Sequence, residues 1–187
     1  DVEAIQAAGI PVWVTHPRTV PDAFNLLWQI MTVFEAPEQS ARVRHIEQMY
    51  DWVWGATLSK QDIGPLPSVF APVWLDPLMT FNSDTYMYDV LRVCGAVGVF
   101  AEHPDRYPNV TLEQVEAAQP DIILLPSEPY QFTDVDIAQF EALETPAARQ
   151  GRIHLVDGAL LTWHGTRVAY ALQELPSLLE LTHDDIA

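Results

Sequence analysis

The stretch VTLEQVEAAQPDIILLPSEPYQF, residues 110–132, decides the fold. VTLEQVEAAQ (110–119) reads as a helix capped by Thr111. DIILL (121–125) is a short continuous apolar run, which fits a strand covered on both faces. PSEPYQF then sets aromatic and polar groups directly after that strand. Helix, doubly covered strand and mixed loop in succession are the pattern of an α/β sheet, in which ligands bind beyond the carboxyl ends of the strands.

The same alternation extends to both sides. VFAPVW (69–74) and RIHLV (152–156) read as strands. SDTYMYDVLRVCG (83–95) reads as a helix capped by Ser83 or Asp84, and TDVDIAQFEAL (133–143) as another helix. GTRVAYALQELPSLLEL (165–181) is a closing helix with Pro176 placed to kink it. SKQDIGPLPS (59–68) is the clearest linker. Before it, residues 21–58 are mostly helical: Val43, Ile46, Tyr50, Val53 and Thr57 recur at i, i+3, i+4 spacing. One long amphipathic helix is the simplest account, with EAPEQ (35–39) as its potential break. IPVWVT (10–15) has strand composition, and HPRTVPD carries the signals of a turn into a helix. DVEAIQAAG reads as the last turns of a helix ending at Gly9, so the chain is expected to be a fragment or a processed product.

Composition excludes some partners. The 187 residues, 49% hydrophobic, suffice for a sizeable core. Asp and Glu number 26 against nine Lys and Arg, a net charge of −17. Such a surface repels phosphate backbones and anionic headgroups, and it favours a cationic partner. No run of about 18 apolar residues is present to span a bilayer. The single cysteine, Cys94, sits in an apolar helical pattern and reads as a buried thiol, without a disulfide framework or CxxC motif.

Catalytic signatures are missing. Neither GxSxG nor HExxH occurs, nor a glycine-rich phosphate loop. The histidines at 16, 45, 103, 154, 164 and 183 form no HxH or HxxxH pair. The strand-end loops are richer. They carry Trp74, Phe81 and Asn82; Glu128, Tyr130 and Phe132; Trp163, His164 and Arg167; and, in EHPDRYPNV (102–110), Arg106 and Tyr107. Taken together they look like a cleft floor, although Trp74 and Phe132 also suit core packing and Arg167 also suits a surface ion pair.

LDPLMTFNSDTYMYDVLRVCGAVGVFA, RYPNVTLEQVEAAQPDIILLPSEPYQF and GRIHLVDGALLTWHGTR resemble the C-terminal lobe of ABC-transporter substrate-binding proteins with a helical backbone. That family includes receptors for vitamin B12, haem and ferric siderophores, and this version is similar to the cobalamin-binding kind. The resemblance implies an α/β, Rossmann-like lobe with a long backbone helix, the second lobe of a two-lobed protein whose first lobe is largely absent. It divides the chain into a first-lobe tail (1–20), a connecting helix (21–58), a linker (59–68) and the C-terminal lobe (69–187). It implies no catalysis and no catalytic cofactor, and instead a cobalamin-like ligand, with haem or a ferric siderophore as alternatives, bound between the lobes. The ligand residues it points to are Trp163, His164, Arg167, Tyr107, Trp74, Phe81, Asn82 and Tyr130. Glu113 matches the acidic residue that docks on arginines of the permease, and the rival role for it is a capping glutamate behind Thr111 or Asn109. A periplasmic or extracytoplasmic place, with a lipid anchor, goes with the resemblance. Two other classes stay open: a metal-dependent hydrolase using His164 with Asp84 or Asp157, and a cytoplasmic or surface sensor reusing the fold.

Overall fold

The computed structural model describes residues 1–180. In chain order the elements are α1 (Val2–Ala7), α2 (Val20–Val33), α3 (Ser40–Gln61), β1 (Ser68–Phe70), α4 (Tyr86–Val93), β2 (Val97–Gly98), α5 (Leu112–Ala118), β3 (Ile122–Pro126), α6 (Asp134–Glu141), α7 (Pro146–Arg149), β4 (Ile153–Val156), α8 (Ala159–Thr162) and α9 (Val168–Leu178). Short 3₁₀ turns precede α3 (Pro37–Gln39) and α9 (Gly165–Arg167). The strands form a sheet in the order β2-β1-β3-β4, parallel throughout.

The apolar run that opened the analysis is covered on both faces. Ile122 and Leu124 join one core cluster with Phe24, Val53, Leu91 and Leu172, contributed by α2, α3, α4 and α9. Ile123 and Leu125 join the other with Phe70, Val115 and Phe140, backed by α5 and α6. Alternation along one strand thus feeds two cores, and every residue of β3 is buried. Cys94 is buried in the first cluster, and burial, with Asp89 adding to it, pushes its thiol up to about 12.

The lead-in departs from one long helix. Residues 21–58 divide between α2 and α3, because Glu35 adopts a positive φ of 50°, Ala36 N–H bonds back to Met31 O at 3.0 Å, and Pro37 starts a new turn. The linker is shorter than the sequence implies, since α3 runs to Gln61. IPVWVT is not a strand: no neighbouring strand meets it among the described residues, and its Trp13 and Val14 are exposed. VFAPVW stays in the parallel sheet only to Phe70; Ala71-Pro72 leads out of the ladder, and Trp74 instead makes an isolated antiparallel bridge with Met79. Helix α4 is capped by Thr85, not by Ser83 or Asp84: Thr85 has extended backbone angles and its hydroxyl accepts from Tyr88 N–H. The closing helix continues through Pro176 to Leu178, and Leu181 of the expected span lies outside the described residues. Strand β2 and helices α7 and α8 were not expected; each is four residues or fewer, too short for a periodic pattern.

One polar knot ties the lead-in to the lobe. Asp89, buried on α4, accepts from Val20 N–H at the start of α2 (2.7 Å) and from Arg92 Nη2 and Nε (2.7 and 3.1 Å). Arg92 in turn lies over the Trp54 ring of α3, 4.4 Å from its centroid. The Asp89–Arg92 pair therefore joins three helices, α2 through the carboxylate and α3 through the guanidinium. No helix among the described residues is long and apolar enough to cross a membrane.

Candidate functional site

All four strands point their carboxyl ends the same way, so the loops after them gather on one edge. The sheet order places the crossover between β1 and β3, where successive connections leave in opposite directions. A pocket of about 840 Å³ opens there. The loop after β1 supplies Val73, Trp74, Pro77 and Met79; the loop after β3 supplies Glu128 and Pro129. The loop after β2 brings Arg106 and Tyr107, and α8 with the turn beyond it brings Thr162, Trp163 and His164. Tyr86 and Met87 at the start of α4 form part of the wall, and Thr15, His16 and Pro17 close one side.

Three large rings from three separate loops are left open to solvent at this pocket. Trp74 is 44% exposed, Tyr107 44% and Trp163 53%, whereas Phe70 and Phe140 are wholly buried. Each open ring is braced. Tyr130 meets Trp74 edge-on at 5.7 Å, and Trp74 Nε1 donates to Asp76 O at 3.0 Å. The Arg106 guanidinium lies 5.5 Å from the Tyr107 centroid, and that of Arg167 5.1 Å from the Trp163 centroid. The bracing keeps apolar faces in place that solvent would otherwise leave free to rotate.

Two glycines set the β4 side of the pocket. A Cβ on Gly158 would lie 2.5 Å from Glu128 N and 2.6 Å from Glu128 O, so only glycine lets the β4 loop pass the β3 loop. Gly165 has φ +87°, which turns the chain from Trp163–His164 into the closing helix. Gly158 N–H donates to Ser127 Oγ (3.0 Å), and Thr162 Oγ1 donates to Glu128 Oε1 (2.8 Å), stitching the two loops together.

The structure sorts the expected ligand residues into two groups. Trp163, His164, Tyr107 and Trp74 line the pocket. Phe81, Asn82, Tyr130 and Arg167 do not. Phe81 is buried in the first core cluster. Asn82 is buried and used at both ends: its side-chain amide donates to His103 O (2.9 Å) and its Oδ1 accepts from Asp84 N–H (2.8 Å), fixing the loop that carries Arg106. Tyr130 and Arg167 stand behind Trp74 and Trp163. Arg167 lines a separate hollow of about 360 Å³ with Arg42, Asp157 and Tyr170. Sequence reading passed over Tyr86 and His16. Tyr86 looks like any apolar helix residue, yet its ring meets His164 edge-on at 5.8 Å; His16 lies in a segment that reads only as a turn.

Glu113 is fully exposed on α5. The capping box belongs to Thr111 and Gln114, with Thr111 N–H donating to Gln114 Oε1 (2.8 Å) and Gln114 N–H to Thr111 Oγ1 (3.3 Å). Gln114, not Glu113, therefore fills the capping position. Hydrogen bonding from Thr111, and then from its own backbone amide, holds the Glu113 carboxyl below its ordinary value. No three His, Cys, Asp or Glu side chains among the described residues could together hold a metal ion. Asp84 pairs with Arg18 at 2.8 Å, and Asp157 Oδ1 accepts from Ala159 N–H.

An aromatic-rimmed pocket thus lies at the switch point of a parallel sheet. No family model matches the chain. It is 25% identical over 189 residues to the vitamin B12-binding protein of Pectobacterium carotovorum, covering 95% of this chain and 62% of that protein. Among solved structures it superposes on the periplasmic haem-binding protein of Roseiflexus sp. RS-1 with a TM-score of 0.79 (20% identity, all of this chain and 72% of that one). It likewise matches the periplasmic vitamin B12-binding protein of Vibrio cholerae with a TM-score of 0.74 (17% identity, 95% and 68%). The fold is thus the one these periplasmic binding proteins share, as the sequence resemblance implied. The chain spans less than two thirds of the length of the B12-binding relative. The relatives named are binding proteins.

Proposed function

We propose that this chain is the second lobe and connecting helices of the substrate-binding component of an ABC importer. It captures a metal chelate, a flat cobalamin-like corrinoid first and haem or a ferric siderophore next, and delivers it to a permease outside the cytoplasm. The observation that carries the reading is the set of three half-open rings, Trp74, Tyr107 and Trp163, braced around one pocket. Rigid rings supply contact area to a flat ligand at low entropic cost. The relatives named for B12 and haem support the same reading. The pocket residues bind and orient; no bond is made or broken. Glu113 serves as the docking carboxylate on this lobe, exposed on α5 and open to an arginine of the permease. A lipid anchor outside the described residues suits this role.

Calorimetric titration of the two-lobed protein, this chain joined to a first lobe, with cyanocobalamin, haemin and a ferric hydroxamate siderophore tests the ligand class. Saturable binding of one of them, weakened by about 1–3 kcal/mol in Trp163→Ala, is expected. Absence of binding by all three would remove the ligand assignment. Glu113→Arg should leave ligand affinity unchanged and reduce uptake through a reconstituted permease; unaltered uptake removes Glu113 from docking.

A further inference from the structure

The ligand's own chemistry can be narrowed further from one arginine, on the reading of the pocket just given. In a chain with 26 acidic residues and nine Lys and Arg, a pocket guanidinium that no carboxylate pairs with among the described residues is informative. Arg18 pairs with Asp84 and Arg92 with Asp89. Arg106 is the only Lys or Arg lining the 840 Å³ pocket, and no ion pair holds it among the described residues. Its Nη1 lies 2.7 Å from His16 Nε2, its Nε is buried without a hydrogen-bond partner, and Tyr107 covers one face. A guanidinium has only donors, so His16 accepts with a neutral Nε2 and contributes no negative charge. The one carboxylate of the pocket, Glu128, is engaged by Thr162.

A positive charge in a wall of Trp, Tyr, Met and Pro side chains is satisfied best by an anion, through charge-assisted hydrogen bonds. We propose that Arg106 is the anion-recognising group of this pocket, and that the ligand carries an ionised acid oxygen, a carboxylate or a phosphate, on the edge of a flat apolar body. Arg106 and the rings then divide the work: the rings take the face of the ligand, and Arg106 takes its edge and fixes its rotation in the plane.

Two pairs of probes separate the acid sources. Haemin and its dimethyl ester differ in free carboxylates; cyanocobalamin and dicyanocobinamide differ in the nucleotide phosphodiester. The acid-bearing member of the pair that binds should be preferred about tenfold or more. Arg106→Gln should abolish that preference, which assigns it to the charge and not to the rest of the nucleotide, and Arg106→Lys should restore part of it. Trp163→Ala should weaken both members of the pair alike, so the pocket reading and the anion inference fail separately. Equal affinity for both members in the wild type, or an undiminished preference in Arg106→Gln, overturns the inference. Should Arg106→Gln not fold, Arg106→Met, uncharged and similarly long, takes its place: an undiminished preference overturns the inference and its loss supports it. Binding of none of the four probes overturns the inference together with the corrinoid and haem readings of the pocket.

Discussion

Of the arginines that lie over aromatic rings in this protein, Arg92 and Arg106 have contrasting surroundings. Arg92, in the knot between α2, α3 and α4, stacks on Trp54 and is bound through two nitrogens to the buried Asp89. Arg106, at the pocket, stacks on Tyr107 and meets a neutral imidazole instead of a carboxylate. The first region is closed on itself, with its charges matched and its rings packed. The second leaves a charge and three rings with faces uncommitted. Stability should therefore reside in the first and binding in the second, and substitutions can separate the two.

The largest effect is expected at Asp89. Asp89→Ala strands the Arg92 guanidinium and removes the acceptor for Val20 N–H, at a cost of about 2–4 kcal/mol, discounted because Arg92 is partly open to solvent. Urea denaturation measures it. A loss under about 1 kcal/mol would mean that the knot is not what fastens the lead-in to the lobe. Next comes the seam between framework and pocket. Gly158→Ala forces a methyl group into Glu128 backbone atoms 2.5–2.6 Å away, and overpacking of this kind costs about 1–3 kcal/mol. Because Glu128 lines the pocket, ligand affinity should fall together with the melting temperature; a change in only one of them would uncouple the seam from the site.

The framework was far more legible in the sequence than the pocket. DIILL gave its strand because burial on both faces leaves no polar position to blur the pattern, and Thr111 gave its cap because a hydroxyl ahead of a helix has a local partner. The strand-end rule located Trp74, Tyr107 and Trp163 because it needs only topology. It could not separate a pocket ring from its brace: Tyr130 and Arg167 have the composition of ligand residues, and only three-dimensional order puts them behind Trp74 and Trp163. Asn82 misled for a similar reason. A polar residue in a strand-end loop suits a ligand, yet its amide is spent on His103 O and Asp84 N–H. IPVWVT failed because strand composition states a preference, and a strand exists only where a neighbour completes its ladder.

At the pocket rim the expectation reverses. Trp163→Ala removes a side chain more than half exposed, and stability should stay within about 0.5 kcal/mol of the wild type while ligand affinity drops. A matching loss of stability would return Trp163 to the framework and leave the pocket with two open rings.

The smallest effect belongs to His154 on β4, a framework residue whose pKa burial lowers below 6.5, with Arg152 adding to the effect. The unfolded chain accepts a proton at this histidine where the native chain resists it. The unfolded state thus binds more protons below about pH 6.5, and by linkage stability rises with pH through that window and is lost as pH falls. His154→Gln should flatten this part of the profile, seen as a smaller difference between urea midpoints at pH 5 and pH 7 than in the wild type. An unchanged difference would place the acid sensitivity elsewhere and remove the one titrating contribution assigned to the framework. Because His154 lies off the pocket, ligand affinity at a single pH should not move, which sets this variant apart from any change at the rim.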